Sequence, residues 1–327
     1  MRFVQLARTL QQHQEQRLAG AQMMRIVCLA AASVALQQPP RRAALHRLHA
    51  AKEIATFDPE EFALPSGEWP YSAADLNRLD NSDDAAFYAE PRFVKHVDDR
   101  AIESLTAFYW EEFLAMGGAD RELDVLDTCS SWISHFPEPV RLGRIAGLGL
   151  NALELEANEA LTESVVQDLN SNTVLPYDDD SFDVVANCVS VDYLTSPKEY
   201  FEEVHRVLRP GGRALITFSN RCFQTKAVAM WLQADEIDKL TIVASYLHYA
   251  ATWKSLAALD LALPKLALPA RPSPGEMMKN PSTAVAWASA TAAAQRANSG
   301  DPMFAVRAVK SRPTKSRRAA DSTDEVI

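Results

Sequence analysis

Along residues 174–220 the spacing of hydrophobic positions changes period twice. Phe182-Asp183-Val184-Val185-Ala186 is a short apolar, β-branched run of the kind buried on both faces of a parallel sheet. Residues 198–208 then place Tyr200, Phe201, Val204 and Leu208 at helical spacing, and Ala214-Leu215-Ile216-Thr217-Phe218 returns to a buried strand. Between the last two lies Arg209-Pro210-Gly211-Gly212, where Pro cannot continue a helix and Gly accepts positive φ. The pattern predicts one strand, helix, strand crossover.

The same reading extends outward in both directions. Residues 101–114 carry a stripe of Ile102, Leu105, Phe108 or Tyr109, and Phe113, a helix ended by Gly117-Gly118. Strands are predicted over 123–127, 144–151 and 164–169, with a helix over 152–157 opened by Asn151. Beyond the crossover, helices are predicted over 226–232 and 234–258, followed by an Ala- and Pro-rich insertion at about 260–300 with one Ala helix over 283–298. A last strand covers 302–310, and the tail 311–327 is polar. Residues 57–92 are irregular, interrupted by Pro59, Pro65, Pro70 and Pro91. Their aromatics Trp69, Tyr71, Phe87 and Tyr88 either cap a cleft or pack an entry segment.

Charge changes the picture at the N-terminus. Residues 1–50 hold seven Arg against Glu15 alone, so a chain of net charge −10 carries +6 there and −16 over the remainder. Arg-rich, acid-poor sequence with an apolar stretch at 26–36 suits a targeting leader over 1–56; the other reading is an amphipathic or unstructured extension. The body, 57–310, is acidic, which argues against broad phosphate-backbone binding and so against a nucleic-acid partner. Cys28, Cys129, Cys188 and Cys222 form no CxxC pair, so no metal site and no disulfide framework is expected. No apolar run reaches the roughly 18 residues a membrane span requires.

Two motifs carry the functional signal. Leu175-Pro176-Tyr177-Asp178-Asp179-Asp180-Ser181-Phe182-Asp183 and Glu203-Val204-His205-Arg206-Val207-Leu208-Arg209-Pro210-Gly211-Gly212 together resemble the class I S-adenosylmethionine-dependent methyltransferases, in particular the type 11 methyltransferase domain. The resemblance spans roughly 123–220. It implies a Rossmann-like, doubly wound α/β fold with a mostly parallel seven-stranded sheet and a C-terminal antiparallel strand, S-adenosylmethionine as cofactor, and a small-molecule methyl acceptor. A nicotinamide-dependent reductase is disfavoured, since the dinucleotide fingerprint is absent.

The resemblance also implies site residues, and here the chain departs from the family. The turn after the first strand, usually D-x-G-C-G-x-G, reads Asp127-Thr128-Cys129-Ser130-Ser131-Trp132-Ile133, with other residues at every Gly position. It is similar to a plastid and cyanobacterial variant of the turn. Asp127, Ser130 and Ser131 are then expected at the amino-acid end of the cofactor. Gly149 stands where the ribose acid is usual, leaving Asn151, or Glu154 one helical turn on, as the hydrogen-bonding candidates; both equally suit helix capping. Asp168 and Leu169 correspond to the adenine contacts. Asn187 and the loop after it, with Asp192 and Tyr193, are expected beneath the transferable methyl, Asp192 being the one carboxylate there able to act as a general base. Asn220 and Arg221 are expected at the acceptor. Because the Gly triad and ribose acid are both missing, a non-catalytic methyltransferase-like protein serving as an assembly or interaction module is the alternative. The leader points to a plastid, with mitochondrial or cytoplasmic placement as alternatives.

Overall fold

The computed structural model describes residues 51–57, 68–138 and 140–312. Most of the leader segment and the tail beyond 312 therefore lie outside the described residues. Eight strands form one sheet: β1 (Lys52–Phe57), β2 (Leu123–Thr128), β3 (Leu142–Gly149), β4 (Glu163–Val166), β5 (Phe182–Cys188), β6 (Leu208–Ser219), β7 (Trp253–Asp260) and β8 (Met303–Lys310). Their order across the sheet is β1-β7-β8-β6-β5-β2-β3-β4. Neighbours from β4 through β6 run parallel; β8 pairs antiparallel with β6 and β7, and β7 antiparallel with β1. The β8 register, Arg213 opposite Val309 through Ser219 opposite Met303, is the antiparallel closing strand expected of the fold.

The helices are α1 (Asp84–Phe87), α2 (Asp99–Ala115), α3 (Ala152–Ala157), α4 (Pro197–Val207), α5 (Ala229–Gln233), α6 (Glu236–Ala250), α7 (Pro274–Lys279) and α8 (Pro281–Asn298). They cover both faces. On one, Tyr200, Phe201 and Val204 of α4 join Val243, Tyr246 and Leu247 of α6 against Val185, Ala214 and Ile216 of the sheet. On the other, Leu105, Phe108, Tyr109 and Phe113 of α2 lie against Val125, Val184 and Leu215. Alternate residues of β5 and β6 thus enter opposite cores, and this explains why both strands read as continuous apolar runs. At the Pro-Gly-Gly turn β6 is bulged: Phe182 pairs with Leu208 and Val184 with Arg213, and Gly211 sits at φ +86°.

Three sequence expectations change. The sheet has eight strands rather than seven, because Lys52–Phe57, most of it inside the segment read as leader, adds to the β7 edge. The helix expected over 234–258 stops at Ala250; Ala251 is extended (φ −160°), and Trp253–Asp260 is a strand held between β8 and β1. Within the insertion, a short capped helix, α7, precedes the Ala helix, with Ser273 and Glu276 forming its capping box. No helix among the described residues is long and apolar enough to cross a membrane.

A cavity at the carboxyl edge of the sheet

The ends of β2, β3, β5 and β6 open onto a cavity of about 260 Å³. Its floor is the turn after β2 (Asp127, Cys129, Ser130, Ser131), the start of α3 (Asn151, Glu154) and Cys188, Val189 and Ser190 after β5, with Asp192 and Tyr193 following on the wall. A segment from Tyr88 to Val97 and the loop Arg221, Cys222, Phe223 and Lys226 wall it. Crevices at the carboxyl ends of parallel strands are where doubly wound folds bind ligands, since loops and helix starts converge there.

The floor is strained. Among the described residues four non-glycine side chains have positive φ, and three of them, Cys129 (56°), His135 (57°) and Val189 (48°), line this cavity. A β-branched residue in the left-handed region costs more than most, and such conformations persist where the surroundings hold them. Cys129 occupies one of the positions where the family carries Gly. It keeps the left-handed backbone without the residue that favours it, and its Sγ accepts from Tyr193 Oη (3.1 Å) and Asn187 Nδ2 (3.3 Å).

The departures at 129–131 and at Gly149 are one structural event. The amide of Ser130 donates to the Leu148 carbonyl (2.8 Å), drawing the turn over β3. A Cβ placed on Gly149 would lie 2.1 Å from the Ser130 carbonyl oxygen. No acid, nor any side chain, fits at 149 while the turn takes this path.

Asp127, Asn151 and Glu154 are all buried. Asp127 Oδ2 accepts from Ser130 Oγ and Ser134 Oγ, both at 2.7 Å. Desolvation by burial outweighs these two donors and pushes its carboxyl up to about 6. Asn151 is saturated: Oδ1 caps α3 by accepting from Leu153 and Glu154 amides, and Nδ2 donates to the Tyr88 (2.9 Å) and Ala89 (3.1 Å) carbonyls. Glu154 accepts from the Arg92 amide and from Ser131 Oγ, each at 2.6 Å.

Asp192 sits in a 3₁₀ turn (Val191–Tyr193) at the cavity wall and is 5% exposed. No other side chain donates to its carboxylate among the described residues. Burial therefore dominates, with only its own backbone amide and the Lys239 charge opposing, and its carboxyl is pushed up to about 7. The cavity thiols are inert by the same cause: burial raises Cys129 and Cys188 to about 12. Burial holds the His135 imidazole down at about 4.

Of the residues expected at the site, Asp127, Ser130, Ser131, Asn151, Asp192, Tyr193 and Arg221 come together around the cavity. Four do not line it. Asp168 closes its own turn, accepting from the Asn170 amide (2.9 Å) and Ser171 Oγ (2.6 Å), and lines a separate shallow polar depression with Arg78, Asp84 and Asn170. Leu169 is buried in the core, Asn187 is fully buried beneath the turn, and Asn220 is exposed. Arg221 Nε is engaged by Asp301 (2.8 Å), and Lys226 is fully buried among Asp80, Asp84 and Ser82.

Sequence reasoning missed Arg92, His135 and Phe223. Of the four aromatics between 57 and 92, Tyr88 lines the cavity and Phe87 packs on Phe223, whereas Trp69 and Tyr71 pack against Tyr246 on α6. No cluster of His, Cys, Asp or Glu among the described residues has the arrangement of a metal site.

Residues 130–216 match a family model described as a methyltransferase domain. Over that stretch, about a quarter of the chain, the protein carries a methyltransferase domain, a family whose cofactor is S-adenosylmethionine. Comparison with curated protein sequences finds no match. Among solved structures, the chain is similar to a S-adenosylmethionine-dependent methyltransferase from Mesorhizobium loti (14% identity, 62% of this chain and 97% of that one, TM-score 0.34). It is also similar to phosphoethanolamine N-methyltransferase 2 from Haemonchus contortus with S-adenosylmethionine (13%, 62% and 53%, TM-score 0.36). At these scores neither likeness carries an argument about activity.

The cavity's own groups decide how far the cofactor fits. Three carboxylates, Asp127, Glu154 and Asp192, face a space suited to a ligand bearing an ammonium and a sulfonium. Asn151 has no hydrogen-bonding capacity left for a ribose, and Asp168 lies outside. On this lining, the residues that could hold the charged, methionine half of such a cofactor are Asp127, Ser130 and Ser131.

Proposed function

We propose that this chain binds S-adenosylmethionine in the cavity at the carboxyl edge of β2, β3 and β5 and methylates a small molecule there. The observation that carries the proposal is Asp192: a buried carboxylate, without a side-chain donor, on the wall of that cavity and poised near neutrality. When bound, the cofactor supplies a methyl group on a positively charged sulfur, a good leaving group. The chain's part is to hold the acceptor in line, exclude water and take a proton. Asp192 takes it from the acceptor. The raised value means that the carboxylate is a stronger base than an ordinary Asp yet remains substantially ionised at pH 7. Tyr88 and Tyr193, with rings 6.1 Å apart, exclude water from the same wall.

Calorimetric titration of the full chain with S-adenosylmethionine tests this. Saturable one-to-one binding supports it; no heat at millimolar cofactor refutes it. The second reading, a non-catalytic assembly module, draws support from the Ser130 carbonyl filling the space beside Gly149 and from the saturation of Asn151. Under that reading the titration is silent. Delivery to a plastid by the leader is part of the first proposal, and import of a reporter fused to residues 1–56 checks it.

A further inference from the structure

Large apolar side chains left exposed on a surface are ordinary when scattered and informative when contiguous. Val94 (54% exposed), Ile133 (37%) and Phe223 (37%) line the cavity, and Phe93 (52%) stands beside the lining residue Trp132. Two sets of contacts build this apolar rim. The Phe93 ring meets Trp132 edge-on at 6.4 Å, and Trp132 Nε1 donates to the Val94 carbonyl at 3.1 Å. Phe223 packs edge-on against Phe87 (5.4 Å) and His96 (5.6 Å).

Inside that rim the cavity offers one buried carboxylate that no side chain satisfies, Asp192. Only its own backbone amide donates to it, so a ligand hydroxyl would add a partner that the protein's side chains do not supply. Most cations around it are paired within the chain, Lys226 with Asp80 and Asp84, Arg221 with Asp301 and Lys95 with Asp99. Arg92 stacks on the Phe87 ring at 4.6 Å and donates from Nη2 to the Phe87 carbonyl, which leaves its buried Nη1 free to donate to a ligand oxygen.

We propose that the methyl acceptor is an apolar molecule with a single hydroxyl, a phenol or alcohol bearing a hydrocarbon portion, whose O–H meets Asp192 while the hydrocarbon lies along Phe93, Val94, Trp132, Ile133 and Phe223. The assignment rests on the methyltransferase reading above. In the transfer, the hydroxyl oxygen forms the new bond to the methyl carbon, the electron pair of the broken C–S bond stays with sulfur, and the hydroxyl proton passes to the Asp192 carboxylate.

A series of 4-alkylphenols from methyl to hexyl, titrated calorimetrically into the full chain saturated with S-adenosylhomocysteine, tests the assignment. Each methylene that leaves water strengthens binding about fourfold, so affinity should climb at that rate over the first several members. Phe93→Ser, an exposed position outside the cavity lining, should flatten the slope and leave the melting temperature and S-adenosylhomocysteine affinity unchanged. Affinity indifferent to chain length overturns the proposal. Normal S-adenosylhomocysteine binding with no alkylphenol binding also overturns it, in favour of a partner protein's apolar segment at the rim. An alkylphenol slope without any S-adenosylhomocysteine binding sinks the methyltransferase reading itself and leaves an apolar ligand site without transfer.

Discussion

Replacing Asp192 by Asn removes a charge the fold has buried and keeps the side chain's shape. In the native chain the carboxyl is held at about 7, against an ordinary value of 3.8. The shift raises the folded-state value, so the folded state binds more protons than the unfolded chain between these limits, and wild-type stability falls as pH rises through them. The shift of about 3 units corresponds to roughly 4 kcal/mol, all of it expressed above pH 7 and little of it at pH 4. The Asn variant escapes this loss. Measured by thermal denaturation from pH 4 to 8, its melting temperature relative to wild type should rise with pH and level off near 7, by about 8 °C or more over the range. Methyl transfer to a hydroxyl acceptor should meanwhile fall by roughly a hundredfold or more in the variant, the usual contribution of a positioned base. A difference in melting temperature that is flat with pH would refute the reasoning, because it would mean that Asp192 is solvated or paired in the folded protein.

Other perturbations address the rest of the site. Gly149→Ala puts a Cβ against the Ser130 carbonyl, and denaturant unfolding should show a loss of about 1–3 kcal/mol. Val189→Gly relieves a β-branched residue at φ 48°. The relief, of order 1–2 kcal/mol, should offset the lost packing, so that the same assay shows little change where truncating a half-buried Val would otherwise destabilise. Lys226→Met leaves Asp80 and Asp84 without their shared cation. Arg78 still pairs with Asp84 and Asp80 is part-exposed, so the change should cost about 1–3 kcal/mol and speed proteolytic cleavage near Ser82, whose carbonyl accepts from Lys226 Nζ at 2.8 Å.

What was legible in the sequence was whatever the core imprints locally. The β5-α4-β6 crossover shows because each element buries a face with its own period: two-sided burial in Phe182–Cys188, and Tyr200, Phe201 and Val204 along one side of α4. The seventh strand did not show, because Leu256, Ala257, Ala258 and Leu259 suit a helix as well as a strand; pairing on both sides by β8 and β1 settles it. Lys52–Phe57 leaves no imprint, since five of its six residues are exposed. At the site the limit is different. Asp127 stands at the end of β2 and Asp192 in the 3₁₀ turn that follows β5, and the position of both along the chain brings them to the cavity. Asp168 stands at such an end too, yet its carboxylate is captured by the Asn170 amide and Ser171, a local competition that spacing alone does not resolve. The link between the turn at 129–131 and Gly149 joins positions about twenty residues apart through a backbone carbonyl, which no pattern of side chains records.

A cofactor lying on the strained floor of the cavity would be caught by ultraviolet crosslinking of radiolabelled S-adenosylmethionine to the full chain, followed by peptide mapping. Label is expected in the peptides carrying residues 127–135 and 188–193, displaced by excess S-adenosylhomocysteine. Label confined to other peptides, or none that the competitor displaces, would contradict it.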